Sequence, residues 1–297
     1  MRVLVIDNLI SGLKTGAIHD FCRYFARDSD EIMIRSTDGN RPIKDMMSEA
    51  TDYDLVVAAG GDSTISAVGY ELQNTGIPLL PFPAGTANLL ATNLGNPDEP
   101  STLAAIARNL KTEDYDLGEI IYTQAEQACR RGFAVIAGAG YDAAIMRRAE
   151  KLKAAFGSMA YTAAAIAEPN PVVADFVVTL DDEVLEIEGI AVLIVNFAQI
   201  YHDVSIVHDS DAKDGFFEVV VIKKQHAVEL LPALFTAFLD SVGNFPDRTD
   251  ALEVRRSTHV KVESSPLLEL QHDGDTPGAT TPFEARILPG AVRFVVA

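Results

Sequence analysis

The chain has 297 residues, of which 48% are hydrophobic, and its acidic residues outnumber its basic ones by 43 to 24. The resulting net charge of −19 argues against a nucleic-acid partner and against electrostatic docking on an anionic membrane, because both carry negative charge. Its two cysteines, Cys22 and Cys129, lie far apart in the sequence, which is typical of a reducing compartment and not of a disulfide scaffold.

The amino terminus predicts a strand over residues 2–6. Asp7 interrupts this apolar run and no small-residue cleavage site follows it, so the segment is not typical of a signal peptide. The longest apolar stretch, residues 190–200, is shorter than the ~20 residues that a membrane-spanning helix needs. We therefore expect a cytoplasmic protein with no transmembrane anchor.

Strand and helix patterns alternate along the first part of the chain. This order predicts an open parallel sheet covered by helices on both faces. The predicted strands are 2–6, 32–35, 55–59 and 77–83, and the predicted helices are 17–27, 43–49, 65–72 and 102–110.

Short β-rich runs dominate after Asp116, and they predict a second domain built as an antiparallel sandwich. Three helical patterns interrupt these runs, at 141–153, 158–167 and 227–239. The predicted strands are 133–137, 172–180, 184–196, 216–222, 254–262, 267–271 and 283–288.

Two glycine turns follow buried strands of the first domain. The segment GGDST, residues 60–64, comes after one strand, and GTAN, residues 85–88, comes after the next. The carboxyl ends of parallel strands lie at one edge of the sheet, where open α/β sheets bind ligands. Glycine allows close backbone approach, and the amides of a turn that enters a helix suit a phosphate. The two turns therefore predict a phosphate-binding site.

The first turn is neither a Walker loop nor a dinucleotide fingerprint. No Gly-Lys-Ser/Thr follows it, and no third glycine stands at the required spacing. Its Asp62 carboxylate suits action through a magnesium ion or on a transferable phosphate. The structural alternative is an ordinary strand-to-helix turn in which Asp62 caps the helix.

Residues 60–64 together with PAGTAN, residues 83–88, resemble the diacylglycerol kinase catalytic-domain family. This family includes bacterial soluble lipid kinases and sphingosine kinases, within the NAD-kinase-like superfamily. Its motif is usually GGDGT, followed by P-L/A-G-T-x-N. Ser63 here replaces a glycine, and Leu89 stands where the family often has an aspartate.

Further segments extend the resemblance over most of the chain. The segments NLISG (8–12), YDLG (115–118), GAGYDA (138–143), DGF (214–216) and DGD (273–275) are similar to the family's motifs, in the same order. The resemblance implies a nucleotide-binding set and a fold. The nucleotide contacts would come from Asn8, Ser11, Thr37, Gly60, Gly61, Asp62, Ser63, Thr64, Ile65, Ser66, Gly85, Thr86 and Asn88.

The resemblance also implies catalytic and metal-binding roles. Asp62 and Asp116 would organise magnesium and phosphate. Asp275 stands where the family has its proposed general base, a glutamate, and its side chain is one methylene shorter. A structural magnesium would be held by the Asp214 carboxylate and by the backbone carbonyls of Asp211 and Phe216, an oxygen set that suits a hard cation.

These residues lead us to expect an ATP- and Mg²⁺-dependent lipid kinase. It would transfer the γ-phosphate to a hydroxyl of diacylglycerol or a related lipid, as a peripheral and transient visitor to a membrane surface. The expected nucleotide-binding domain is 1–117 with a returning strand at 289–297. The sandwich, 118–288, would supply the substrate side, with a cleft between the two domains and a possible homodimer through an edge strand.

Two other functions stay open at this point. One is a kinase of a small soluble alcohol, of which NAD kinase is the nearest example, although Asn196 is followed by Phe197 and not by that family's glutamate. The other is a nucleotide-binding regulatory protein without turnover, which the substitutions Ser63, Leu89 and Asp275 motivate. Bulky polar residues in the loop that the family uses near the acceptor, Tyr201, His202 and His208, leave the acceptor undefined.

Overall fold

The computed structural model describes residues 1–12, 15–141, 143–144, 147, 171–197, 199–201, 204–205, 211–223 and 252–297. The predicted helices at 158–167 and 227–239 lie outside the described residues, as do most of the predicted helix at 141–153, His202 and His208. The chain divides into two compact units, Met1–Leu117 with Leu288–Ala297, and Gly118–Ile287.

The first unit is built on a parallel sheet. Strand β1 (Arg2–Asn8) lies between β2 (Glu31–Thr37) and β3 (Leu55–Gly60), and β3 pairs with β4 (Pro78–Pro83). The carboxyl-terminal part of the last strand, β16 (Phe283–Val295), adds to β4 in the same direction. The open parallel sheet predicted from the alternating patterns is therefore present.

Helices follow most of these strands. Phe21 and Phe25 recur four residues apart on the first helix, and both are fully buried against the sheet, where Phe21 meets the ring of Phe82. Such spacing buries one helical face. The helices are α1 (Ala17–Phe25), α2 (Ile43–Met46), α3 (Asp62–Glu71), α4 (Leu89–Asn93) and α5 (Pro100–Asn109), with a 3₁₀ turn at Ala50–Asp52.

The second unit is antiparallel. Its strands are β5 (Thr112–Gln124, which begins in the first unit), β6 (Gln127–Phe133), β7 (Ile136–Gly140), β8 (Ala174–Thr179), β9 (Val184–Val195), β10 (Gln199–Tyr201), β11 (Val204–Ser205), β12 (Phe217–Lys223), β13 (Leu252–Ser257), β14 (His259–Ser265) and β15 (Leu270–His272), with the first part of β16. The long strand β9 is central, because it pairs with β8 through its first half, with β7 through its second half, and with β12.

Three predicted β segments differ from the structure. The predicted strand 254–262 is two strands, β13 and β14, because the Asp181 carboxylate accepts hydrogen bonds from the hydroxyl of Ser257 and the amides of Thr258 and His259. The predicted strand 283–288 is continuous with the predicted returning strand at 289–297, and together they form β16. The predicted strand 133–137 spans the end of β6 and the beginning of β7.

Within the described part of the chain, no helix is both long and apolar enough to cross a membrane.

Candidate nucleotide and phosphate-transfer site

Three glycine turns of the first unit lie in backbone contact. A Cβ atom built on Gly85 would lie 2.4 Å from the Cα atom of Gly61, and one built on Gly12 would lie 2.1 Å from the carbonyl oxygen of Ala84. The Ala84 amide also donates to the Gly60 carbonyl at 3.1 Å. Only residues without a side chain permit these approaches. The sequence-predicted turns 60–64 and 85–88 are thus brought together at the carboxyl ends of β3 and β4.

Asn8 joins the turn at residues 8–12 to the turn at residues 60–64. Its Nδ2 donates to the Thr64 hydroxyl at 2.8 Å, and its Oδ1 accepts from the Ile10 amide at 3.2 Å. The Leu9 amide donates to the Thr37 carbonyl at 2.9 Å, so the end of β2 belongs to the same group. The Thr37 hydroxyl is buried and accepts from the Gly39 amide at 3.1 Å. Four predicted nucleotide residues, Asn8, Ser11, Thr37 and Thr64, therefore share one edge of the sheet.

Helix α3 begins earlier than the sequence predicts. Its N-cap is Gly61 and its first residue is Asp62, whereas the predicted start is residue 65. Ser63 consequently occupies a helical position that any residue adopts, so serine replaces the family's glycine without backbone strain. The side chains of Ile65 and Ser66 are fully buried, whereas the helix N terminus concentrates amide N–H groups that favour an anion.

The Asp62 carboxylate caps helix α4. Its Oδ1 accepts from the Leu90 amide at 2.8 Å and its Oδ2 from the Leu89 amide at 3.1 Å. The structural alternative from the sequence, a cap on Asp62's own helix, is wrong, because Gly61 occupies that position. Leu89, which replaces an aspartate common in the family, contributes its amide to this link. Asp62 thus holds the two glycine turns together from a buried position.

Asn88 closes the second turn upon itself. Its Oδ1 accepts from the Gly85 amide at 2.8 Å, and its Nδ2 donates to the Gly85 carbonyl at 3.3 Å. Its φ of 53° is left-handed, a conformation that asparagine tolerates better than most residues. Thr86, between them, is half-buried. The side chain of Asn88 therefore fixes the conformation of this turn.

Asp116 is anchored at the last strand. It is buried in β5, and its Oδ1 accepts from the Gly290 amide at 2.7 Å. Since Gly290 lies in the part of β16 that belongs to the first unit, this contact stays within that unit. Asp116 therefore holds β16 in place, whatever other role it has.

The predicted structural metal residues form one tight turn before β12. The Asp214 amide donates to the Asp211 carbonyl at 3.2 Å, and the Phe216 amide donates to Asp214 Oδ1 at 3.0 Å. Arg256 pairs with the Asp214 carboxylate, and its guanidinium lies 4.7 Å from the centre of the Phe216 ring. The oxygen donors suit a hard cation, but a cation bound to Asp214 competes with Arg256. Among the described residues, no three His, Cys, Asp or Glu side chains gather into a metal-binding group.

Asp275 lies on an exposed turn of the second unit. His272 and Asp275 exchange backbone hydrogen bonds of 3.0 and 2.8 Å around Asp273 and Gly274, both of which have positive φ. The Asp275 side chain is 57% exposed. The predicted base is therefore accessible on a tightly defined turn.

Asp273 is an important residue that the sequence reasoning did not select. Its buried carboxylate accepts three backbone hydrogen bonds, from the amides of Ala134 (2.7 Å), Val135 (2.9 Å) and Ile136 (2.9 Å). It fixes the turn that carries Asp275 to the start of β7. The sequence feature that could have identified Asp273 is its position as the first aspartate of the DGD motif, residues 273–275.

Comparison with known proteins matches both units. A family model described as the diacylglycerol kinase catalytic domain matches residues 2–120, and one described as the YegS C-terminal NAD kinase beta sandwich-like domain matches residues 135–296. The second match alone covers more than half of the chain.

Individual relatives support the same assignment. An uncharacterized protein of Synechocystis is 30% identical over 258 residues, which is 83% of this chain and 56% of that protein, so the chain spans little more than half of its length. A diacylglycerol kinase of Mycobacterium tuberculosis is 27% identical over 253 residues, 83% of this chain and 78% of that one.

A solved structure shares the fold. This chain superposes on the crystal structure of a diacylglycerol kinase from Bacillus anthracis with a TM-score of 0.68 and 17% identity. The superposition covers 100% of this chain and 97% of that one. The predicted architecture, a parallel α/β part followed by a β-sandwich, is confirmed. The enzyme class predicted from the sequence, a phosphotransferase acting on an alcohol group, is the class of this family. The chain therefore belongs to the diacylglycerol kinase catalytic-domain family.

Proposed function

We propose that this protein is a lipid kinase that transfers the γ-phosphate of ATP to a hydroxyl of diacylglycerol or a related lipid alcohol. The observation that carries the proposal is the convergence of three glycine turns at one edge of a parallel sheet, two of which Asp62 ties together. A kinase needs such a cradle because catalysis of phosphoryl transfer is mostly positioning and charge stabilisation.

The nucleotide phosphates would lie on the turns at Gly60–Gly61 and Gly85–Asn88. Close backbone approach and the amino-terminal end of α3 supply N–H groups for the phosphate oxygens. The polar groups of Asn8 and Thr64, already joined at 2.8 Å, would form one wall of this site. Ser63 and Thr86 lie on these turns, Ser11 lies on the turn after β1 and Thr37 ends β2, and the four would complete the site.

Asp62 and Asp116 are the carboxylates that we assign to the magnesium network. An ionised carboxylate offers about four acceptor positions, so Asp62 can cap α4 and bind a cation with the same oxygens. When bound, magnesium would neutralise charge that builds up on the transferring phosphoryl group. Asp211, Asp214 and Phe216 are assigned to a second, structural site.

Asp275 is the group that would take the proton from the acceptor hydroxyl. Its exposed position on a rigid turn suits contact with a substrate. The acceptor would be a neutral lipid, because the net charge of −19 disfavours an anionic membrane surface. We infer that the protein works in the cytoplasm and visits the membrane transiently.

The test is transfer of labelled γ-phosphate from ATP-magnesium to acceptors in neutral detergent micelles. The panel holds diacylglycerol, monoacylglycerol, sphingosine and phosphatidylglycerol, with NAD in solution. Asp275→Asn should lower kcat at least about 10²-fold and leave ATP binding unchanged. Asp182→Asn is the matched control, since Asp182 is an exposed turn aspartate of the same unit.

Each other outcome points to a different function. Transfer to NAD alone would make the protein a kinase of a soluble alcohol. Tight ATP binding without transfer to any acceptor would make it a nucleotide-binding regulatory protein. Full activity in Asp275→Asn would remove Asp275 from the mechanism.

A further inference from the structure

A buried imidazole lies directly beside the proposed base. The whole of His272 is 5% exposed, and neither of its ring nitrogens has a hydrogen-bond partner. Its Nε2 lies 3.9 Å from Oδ2 of Asp275, across the two-residue turn that joins them. A buried polar ring without a partner destabilises a fold, so an apolar residue would be the better filler if packing were its role.

The surroundings of His272 keep the imidazole neutral. Burial lowers the pKa of His272, and Arg131 acts in the same direction, whereas the carboxylates of Asp275 and Asp273 act against it. The Tyr122 ring stacks over the imidazole with ring centres 6.4 Å apart, and burial raises the pKa of that phenol as well. A neutral imidazole carries one N–H and one acceptor nitrogen, so it can donate to a carboxylate.

The side chain of the proposed base, Asp275, is short. Asp275 stands where a glutamate would reach one methylene further, and a misplacement of about 1 Å can cost about 10²-fold in rate. The Asp275 side chain is 57% exposed, so it has room to rotate. A charge-assisted hydrogen bond of about 2.8 Å to Nε2–H would fix it in one orientation.

We propose that His272 is a positioning residue for Asp275. Its Nε2–H donates to Asp275 Oδ2, holds the carboxylate toward the acceptor hydroxyl and compensates for the shorter side chain. The proton leaves the acceptor hydroxyl for Asp275, and His272 neither gains nor loses one. This inference rests on the proposed kinase function.

Three substitutions of His272 separate position from packing. Glutamine places an amide nitrogen close to the position of Nε2, asparagine places one close to Nδ1, and leucine offers no donor. We expect His272→Leu and His272→Asn to lower kcat about 10- to 100-fold with unchanged KM for ATP. His272→Gln should stay within about threefold of the parent protein, because it keeps the donor.

Rescue by glutamine is the decisive comparison, because it restores a donor and not the imidazole ring. An unchanged kcat in His272→Leu, or a His272→Gln variant as slow as His272→Leu, overturns the proposal.

Restoring the longer base gives an independent check. In an Asp275→Glu background the carboxylate reaches the hydroxyl without help, so His272→Leu should cost less than about threefold. An equal loss in both backgrounds means that leucine damages the fold and not the position of the base, and this overturns the proposal.

A spectroscopic measurement keeps the inference testable if no acceptor is phosphorylated. The ¹⁵N shifts of the His272 ring, compared between the parent protein and Asp275→Ala, should show a protonated Nε2 whose shift changes when the carboxylate is removed. Unchanged shifts overturn the pairing. Failure of the kinase function is seen separately, as a parent protein that transfers no phosphate.

Discussion

Gly85 and Gly61 touch through their backbones, since a Cβ atom on Gly85 would lie 2.4 Å from the Cα atom of Gly61. The reverse substitution is different, because a Cβ atom on Gly61 would have its nearest neighbour, the Cα atom of Gly85, at 3.6 Å. We therefore expect Gly85→Ala to push the two turns apart and to weaken ATP binding at least about tenfold.

Gly69→Ala is the matched control for this prediction, because a Cβ atom there would have its nearest neighbours, Leu79 and Val292, at an ordinary contact distance of 3.5 Å. Gly69 lies within helix α3 and outside both turns, and a helical position suits alanine. Titration with ATP followed by calorimetry compares the two variants. If Gly85→Ala binds ATP as tightly as Gly69→Ala does, the contact between the turns has no role in nucleotide binding.

Asp62 should combine a structural and a chemical role that substitutions can separate. Asp62→Asn keeps one oxygen acceptor for the α4 amides but loses the charge, so we expect a loss of about 1–2 kcal/mol in unfolding free energy. Phosphate transfer should fall by more than about 10²-fold, since a neutral amide is a poor magnesium ligand. Urea denaturation and the transfer assay measure the two effects. A fully folded Asp62→Asn protein with normal transfer would leave Asp62 only its capping role.

Asp7 carries a charge that the fold tolerates poorly. Burial raises the pKa of its carboxyl, although nearby His19 and a hydrogen bond with Ser36 act the other way. The pKa of Asp7 is therefore higher in the folded protein than in the unfolded chain. Its contribution to stability is fully present at pH values below its pKa in the unfolded chain, and it is lost as pH rises through its pKa in the folded protein. Asp7→Asn removes this loss. We expect its unfolding temperature to exceed that of the parent by about 2 °C at pH 7, and the gain to shrink toward pH 3. A gain independent of pH would contradict the assignment.

The sequence predicted local structure best where a residue type has one common structural role, as glycine has in turns. A pair of glycine turns after apolar strands predicts a cradle, and the turns at Gly61 and Gly85 do converge. Long-range side-chain roles were not readable. Nothing in the local pattern says that Asp62 caps a helix some 27 residues later, or that Asp181 separates β13 from β14.

Turns without a typical composition were also missed. The β5–β6 hairpin turns at Ala125 and Glu126, whose φ values of 48° and 65° usually require glycine or asparagine. The pairing of β5 with β6 over seven residue pairs outweighs that local cost. Helix α4 was missed because it has five residues and takes its cap from Asp62, far away in the sequence.

Arg256 should control cation binding at Asp214. Its guanidinium pairs with the Asp214 carboxylate and also lies 3.7 Å from a carboxylate oxygen of Glu218. Arg256→Gln removes one positive charge at about 4 Å, so magnesium should bind at least about fivefold more tightly. The rise of the unfolding temperature with magnesium concentration measures this, with Arg255→Gln as the neighbouring control. The same response in Arg256→Gln and in the double variant with Asp214→Asn would place the cation elsewhere.

Asp273 and Asp275 should separate stability from activity although they are two residues apart. Asp273→Ala leaves the amides of Ala134, Val135 and Ile136 without their shared acceptor in a buried place, so we expect a loss of at least about 3 kcal/mol. Asp275→Ala removes an exposed side chain and should change stability by less than about 0.5 kcal/mol. Urea unfolding of both variants makes the comparison, and phosphate transfer should be abolished in Asp275→Ala while its fold persists. A stable Asp273→Ala protein would mean that water replaces the carboxylate, and that the turn carrying Asp275 is held by its own backbone bonds alone.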